Sequence, residues 1–127
     1  MSRGKILIVD DTPTNIDLLT AALEPRGYEI LAAPGGELGL KIAAKALPDL
    51  ILLDVVMPGR DGFAICRELK ADDTTREIPV LFITANDKRA EFHRRGLTYI
   101  RKPFNLFALL ATVSARLGER RTHTASS

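Results

Sequence analysis

Residues 50–62 read Leu50-Ile51-Leu52-Leu53-Asp54-Val55-Val56-Met57-Pro58-Gly59-Arg60-Asp61-Gly62. Four apolar residues in succession close on a carboxylate, and a segment with proline and two glycines follows. So short and uniformly apolar a run suits a strand covered on both faces, as in the middle of a parallel sheet. The design recurs along the chain. Ile6-Leu7-Ile8-Val9 closes on Asp10-Asp11, Val80-Leu81-Phe82-Ile83 closes on Thr84, and Tyr99-Ile100 leads to Lys102-Pro103. With a further run at Tyr28, strands are predicted near residues 5–9, 28–32, 50–53, 80–83 and 98–100.

Segments of helical period lie between these runs, so the chain reads as βα units around a parallel sheet. Thr12 is a natural N-cap, and Pro13 falls at the first helical position, where its missing N–H costs nothing. Ile16, Leu19 and Leu23 form the inward stripe of that first helix, which Pro25 and Gly27 end. A second helix places Leu40, Ala43, Ala44 and Leu47 on one face and stops at Pro48. Gly39 inside it lowers its intrinsic stability by roughly 1 kcal/mol relative to alanine. A third starts near Asp61 and buries Phe63, Cys66 and Leu69. The last begins after Asn105 and carries Leu106, Leu109, Leu110, Val113 and Leu117 at helical spacing. One domain is expected over residues 1–118. Residues 119–127 are expected to form a disordered polar tail or a linker cut short, since nothing apolar beyond Ala125 follows Arg120.

The bulk numbers fit that picture. A chain of 127 residues, 46% hydrophobic and 27% charged, is ordinary for one globular domain. The single cysteine, Cys66, cannot form an internal disulfide, which points to a reducing, cytoplasmic setting. No apolar stretch has the length of a membrane span. Residues 1–83 carry nine basic and thirteen acidic side chains, whereas residues 84–127 carry nine basic and three acidic. The basic half reads as a solvated surface or as a face for an acidic partner. Its cations are not interleaved with aromatics, which speaks against direct nucleic-acid contact.

In open parallel sheets functional groups gather beyond the carboxyl ends of the strands. Asp10, Asp11, Asp54, Thr84 and Lys102 all fall at or just past such ends. Carboxylates crowded to about 4 Å repel by about 4 kcal/mol per pair at an effective dielectric near 20. One lysine cannot cancel three charges. A divalent cation can, and an all-oxygen donor set suits Mg²⁺. Asp54 is then the natural nucleophile for a phosphoryl group, with the Lys102 ammonium and the Thr84 hydroxyl placed to stabilise its oxygens.

On Asp10-Asp11, Asp54 with Met57-Pro58-Gly59 and Asp61-Gly62, Thr84-Ala85 and Lys102-Pro103-Phe104, the chain resembles a bacterial response-regulator receiver domain over about residues 4–118. The resemblance implies a flavodoxin-like, doubly wound sheet of five parallel strands in the order 2-1-3-4-5 with five helices. It implies that Asp11, Asp54 and the Val56 carbonyl bind Mg²⁺, with Asp10 acting largely through water. Asp54 would accept phosphate from a histidine kinase or a histidine phosphotransfer protein, and the phosphorylated domain would act on an output domain or downstream protein. Any output enzyme would lie outside this chain. Tyr99 matches the switch aromatic that moves with Thr84, and the Lys102–Pro103 bond would be cis. Lys102 follows Thr84 by 18 positions, about one helical turn fewer than in the family, so the fourth helix is expected to be shortened.

Other readings are weaker. A haloacid-dehalogenase-like hydrolase needs a second acid two residues after its nucleophile, and that position is Val56. A flavin site would have to hold its phosphate against Asp10-Asp11. The alternative is a degenerate receiver that binds partners without phosphorylation: the complete acid, threonine and lysine set speaks against it, and the shortened fourth helix speaks for it. Cys66 reads as a core residue, and His93 and His123 as solvated side chains.

Overall fold

Every strand of this chain delivers one row of side chains to each side of the sheet, and both rows find helices to cover them. The computed structural model describes residues 3–55, 61–84, 98–101 and 106–125. The strands are β1 (Gly4–Val9), β2 (Tyr28–Ala33), β3 (Leu50–Asp54), β4 (Val80–Thr84) and β5 (Thr98–Arg101). The helices are α1 (Pro13–Leu23), α2 (Gly36–Ala46), α3 (Gly62–Ala71) and α4 (Leu106–Ala125), with a 3₁₀ turn at Glu24–Arg26. The shortened helix expected between Asn86 and Thr98 lies outside the described residues, and the numbering runs over the described helices alone.

All strand pairs are parallel and the order is β2-β1-β3-β4-β5. This is the doubly wound five-stranded sheet that the family resemblance implies. Leu7, Val9, Ile51, Leu53, Val80 and Phe82 face one side and join Ala43 of α2 with Phe63, Ile65, Cys66 and Leu69 of α3. Ile6, Ile8, Leu50, Leu52, Leu81 and Ile83 face the other and join Leu19 and Leu23 of α1 with Leu109, Val113 and Leu117 of α4. The alternation along each strand is the period of two that a pleated backbone imposes. Phe63 and Phe82 meet with ring centroids 5.2 Å apart and planes tilted by 42°, a favourable aromatic arrangement.

One local reading changes, and two helix ends gain detail. In α2, Leu47 is not part of the inward stripe. It is the C-cap, sits in the left-handed region at φ 49°, and is 53% exposed. Ala44 is exposed too, while Gly39 and Ala43 are buried. The reason is Gly39 itself: a Cβ there would stand 2.9 Å from Val9 Cγ2, so α2 turns its glycine to β1 to approach closely. The residue that lowers helix propensity is the one that allows the packing. At α1, Thr12 occupies the N-cap with extended backbone but makes no side-chain cap bond. Finally, the backbone of α4 is helical to Ala125. Residues 119–121 are Glu-Arg-Arg, good helix formers with no proline to stop the helix.

One connection is pinned by two polar side chains. Lys70 Nζ donates to the Ile78 carbonyl at 2.7 Å and to that of Arg76 at 3.1 Å. The buried Thr75 hydroxyl donates to the Leu69 carbonyl at 2.7 Å. Together they fix how α3 returns the chain to β4. Among the described residues, no helix is long and apolar enough to cross a membrane.

Candidate functional site

The strand register determines which polar residues meet. Val9 pairs with Leu53 across β1 and β3, so the residues that follow, Asp10 and Asp54, stand level at the same edge. Asp54 pairs in turn with Ile83, one residue before Thr84, and Thr84 pairs with Arg101. Three neighbouring strands therefore bring two acids and a hydroxyl to one end of the sheet, and Asp11 follows directly on Asp10.

The carboxylates do converge. Asp10, Asp11 and Asp54 each offer an oxygen, and all three oxygens lie within 4.8 Å of one another. Asp10 is 2% exposed and Asp54 6%, whereas Asp11 faces solvent. The Thr12 N–H donates to Asp10 Oδ1 at 2.9 Å, and the Asp10 N–H donates to the Ala33 carbonyl at 3.1 Å. The first link turns the chain sharply into α1, the second ties it to the end of β2. Both hold the Asp10 carboxylate against the sheet edge.

Asp54 is held from the other side. The Val55 N–H donates to the Ile83 carbonyl at 3.3 Å, and the Gly62 N–H donates to the Val55 carbonyl at 2.7 Å. Asp61 is the N-cap of α3, its Oδ1 accepting the Ala64 N–H at 2.8 Å. Acids in this stretch thus differ in purpose. Asp61 serves a helix terminus, while Asp54 is aimed at two other carboxylates.

A cluster of this kind fits a hard divalent cation. The donors are oxygens only, two of the three acids are nearly buried, and their mutual repulsion needs a compensating positive charge. Among the described residues this is the one group of three acidic, histidine or cysteine side chains close enough to share an ion.

Thr84 is wholly buried at the end of β4. Tyr99 lies in β5 opposite Phe82 and is half-buried against the core on the α2 and α3 side. Val56, Lys102 and Pro103 lie outside the described residues, as does Ala85. Cys66 is buried in α3, and burial pushes its thiol pKa up against the opposing pull of Lys70 and Arg67. A protonated, covered thiol matches the core role expected for it. What the sequence reading left without a reason is Gly62. It was legible only as half of an Asp-Gly pair, and its packing against β3 is visible only in three dimensions.

Comparison with known proteins agrees with this geometry. Residues 6–114 match the model of the response regulator receiver domain. The response regulator PleD of Caulobacter vibrioides is 47% identical over 115 residues, which cover 87% of this chain and 25% of PleD. The protein PilH of Pseudomonas aeruginosa is 41% identical over 118 residues, covering 90% of this chain and 98% of PilH. The chain thus spans about a quarter of PleD and nearly all of PilH. Among solved structures, the receiver domain of the sensor histidine kinase PA1611 from Pseudomonas aeruginosa superposes with a TM-score of 0.82 at 28% identity, covering 91% of this chain and 98% of that one. That structure has a magnesium ion coordinated in its active site cleft.

Proposed function

This chain belongs to the response regulator receiver family, and on that premise we propose that it is the phosphoacceptor of a two-component phosphorelay, with Asp54 as the acceptor. The observation that carries the reading is the convergence of the Asp10, Asp11 and Asp54 carboxylates within 4.8 Å at the carboxyl edge of the sheet. A phosphorylation-independent binding module would have no use for that repulsion.

The donor is a phosphohistidine on a histidine kinase or a histidine phosphotransfer protein. An Asp54 carboxylate oxygen attacks phosphorus, the P–N bond breaks, and its electron pair returns to the imidazole as the P–O bond to Asp54 forms. Asp11, Asp54 and the Val56 carbonyl would hold Mg²⁺. Asp10, one of whose oxygens already accepts the Thr12 N–H, would act through water. When bound, the ion supplies charge neutralisation for the transferring phosphoryl group. The similar PA1611 receiver, with its magnesium in the cleft, supports that assignment.

Lys102 and Thr84 supply a cation and a hydroxyl to the phosphoryl oxygens. Thr84 is fully buried at the end of β4, one strand away from Asp54, and shifts to bond a phosphate there. That shift is the coupling to Tyr99, whose ring turns further into the core. The altered surface acts on an output domain or a downstream protein. The domain assists its own phosphorylation and dephosphorylation and is not itself an enzyme on an outside substrate. Its setting is the cytoplasm, where a lone thiol stays reduced.

Acetyl phosphate with Mg²⁺ tests the reading without a cognate kinase. Intact mass spectrometry should show one phosphoryl adduct on the native chain, and none on Asp54→Asn or after chelation. An adduct on the asparagine variant, or none on the native chain, would sink it.

A further inference from the structure

The first turn of α3 rests directly on the peptide that carries the acceptor. A Cβ added at Gly62 would lie 2.4 Å from the Asp54 carbonyl oxygen, 2.9 Å from Val55 Cα and 3.1 Å from the Asp54 carbonyl carbon. All three are backbone atoms, so no side chain can swing aside. Glycine is not needed here for its backbone freedom, because Gly62 is not among the residues with positive φ. It is needed for space alone. The space is then used: the Gly62 N–H bonds the Val55 carbonyl at 2.7 Å, and the Asp61 cap holds the turn in place.

The helix behind Gly62 has little freedom to retreat. Phe63, Ile65, Cys66 and Leu69 are buried against the sheet, and Phe63 lies on Phe82. Interiors packed to this density transmit a displacement rather than absorb it. A methyl group at position 62 therefore displaces the Asp54–Val55 peptide, and with it the carboxylate that must meet Asp10 and Asp11.

We infer that Gly62 is a positioning residue for phosphoryl acceptance, acting through the Asp54–Val55 backbone to keep the acceptor carboxylate in register with the other two acids. The inference rests on Asp54 being the acceptor. Gly39 provides the control. A Cβ there also meets the sheet, but it meets the Val9 side-chain methyls at 2.9 and 3.0 Å, not the backbone that carries the acceptor.

The test is a Mg²⁺ titration of the native chain, Gly62→Ala and Gly39→Ala, followed by amide NMR, with thermal unfolding recorded in parallel. Gly62→Ala should stay folded and bind Mg²⁺ about tenfold more weakly. Gly39→Ala should lose stability and keep native affinity. A Gly62→Ala affinity within threefold of Gly39→Ala overturns the positioning role and leaves the acceptor reading intact. If Gly62→Ala does not fold, the native spectrum decides: the Gly62 amide must shift on adding Mg²⁺, and an unresponsive amide overturns the inference. Absence of Mg²⁺ binding by the native chain would remove the acceptor reading itself, and this inference with it.

Discussion

At the amino end of the sheet, charges are matched one to one with the backbone, whereas at the carboxyl end like charges are pressed together. Asp49 Oδ2 accepts the Lys5 N–H at 2.8 Å, and Lys5 Nζ donates to the Ala46 carbonyl at 3.2 Å, at the end of α2 where a cation is favoured. Arg3 lies over the Tyr28 ring at 5.4 Å, and its Nη1 donates to the Arg26 carbonyl at 3.4 Å. One strand length away along the same two strands, oxygens of Asp10, Asp11 and Asp54 lie within 4.8 Å of one another. The first arrangement stabilises the fold and the second works against it. Carboxylates gathered in that way cost stability unless a cation offsets them, which supports the site proposed at the carboxyl end.

Breaking the comparison begins with Asp54→Asn, which carries the largest expected effect. Phosphoryl uptake should vanish while the metal-free protein becomes more stable, by about 1–2 kcal/mol as one repulsive charge is removed, or a few degrees in Tm. Calorimetry should also show that Mg²⁺ raises the native Tm and leaves the variant unmoved. A lower metal-free Tm for the variant would mean that the cluster is a structural feature after all.

Asp49→Ala makes the mirror-image test. It leaves the partly buried Lys5 N–H without its carboxylate, a loss of about 1–3 kcal/mol, visible as an earlier urea midpoint. Acetyl phosphate should still label Asp54 at the native extent. Impaired labelling would show that the two ends are not independent.

Leu47→Gly sharpens the contrast by removing strain at the amino end. A leucine in the left-handed region costs roughly 1–2 kcal/mol, and this one is half exposed. Relief of that cost, less the extra chain entropy of glycine, should raise stability by about 0.5–1 kcal/mol in urea with labelling unchanged.

The smallest effect belongs to Cys66, away from both ends. Its thiol pKa is raised by burial, so the unfolded chain loses this proton at lower pH than the folded one. Its contribution is complete below the ordinary thiol range and declines as pH rises through that range. A Cys66→Ala variant should show a flatter stability profile above about pH 8.5, and an equally steep profile would refute the assignment.

Much of the fold was legible because the signals are local. Leu50–Leu53 and Val80–Ile83 are apolar at every position, as strands covered on both faces must be, and Phe63, Cys66 and Leu69 repeat at helical spacing. The acids at strand ends were legible for the same reason. The face of α2 was not: Ala44 and Leu47 fit a helical stripe as well as any residues do, and only the approach of Gly39 to Val9 shows that the stripe is turned. Gly62 was visible as a residue type but not as a contact.

The residue pattern by itself determined the alternation of strands and helices, the chemistry of the groups at the strand ends, and the family those groups resemble. Tertiary structure alone decided that Asp10 and Asp54, 44 positions apart, stand side by side, and that position 62 has no room for a methyl group. Periodicity is set by each residue and its near neighbours. Distance between remote side chains is set by strand register and helix docking, which depend on how whole faces pack.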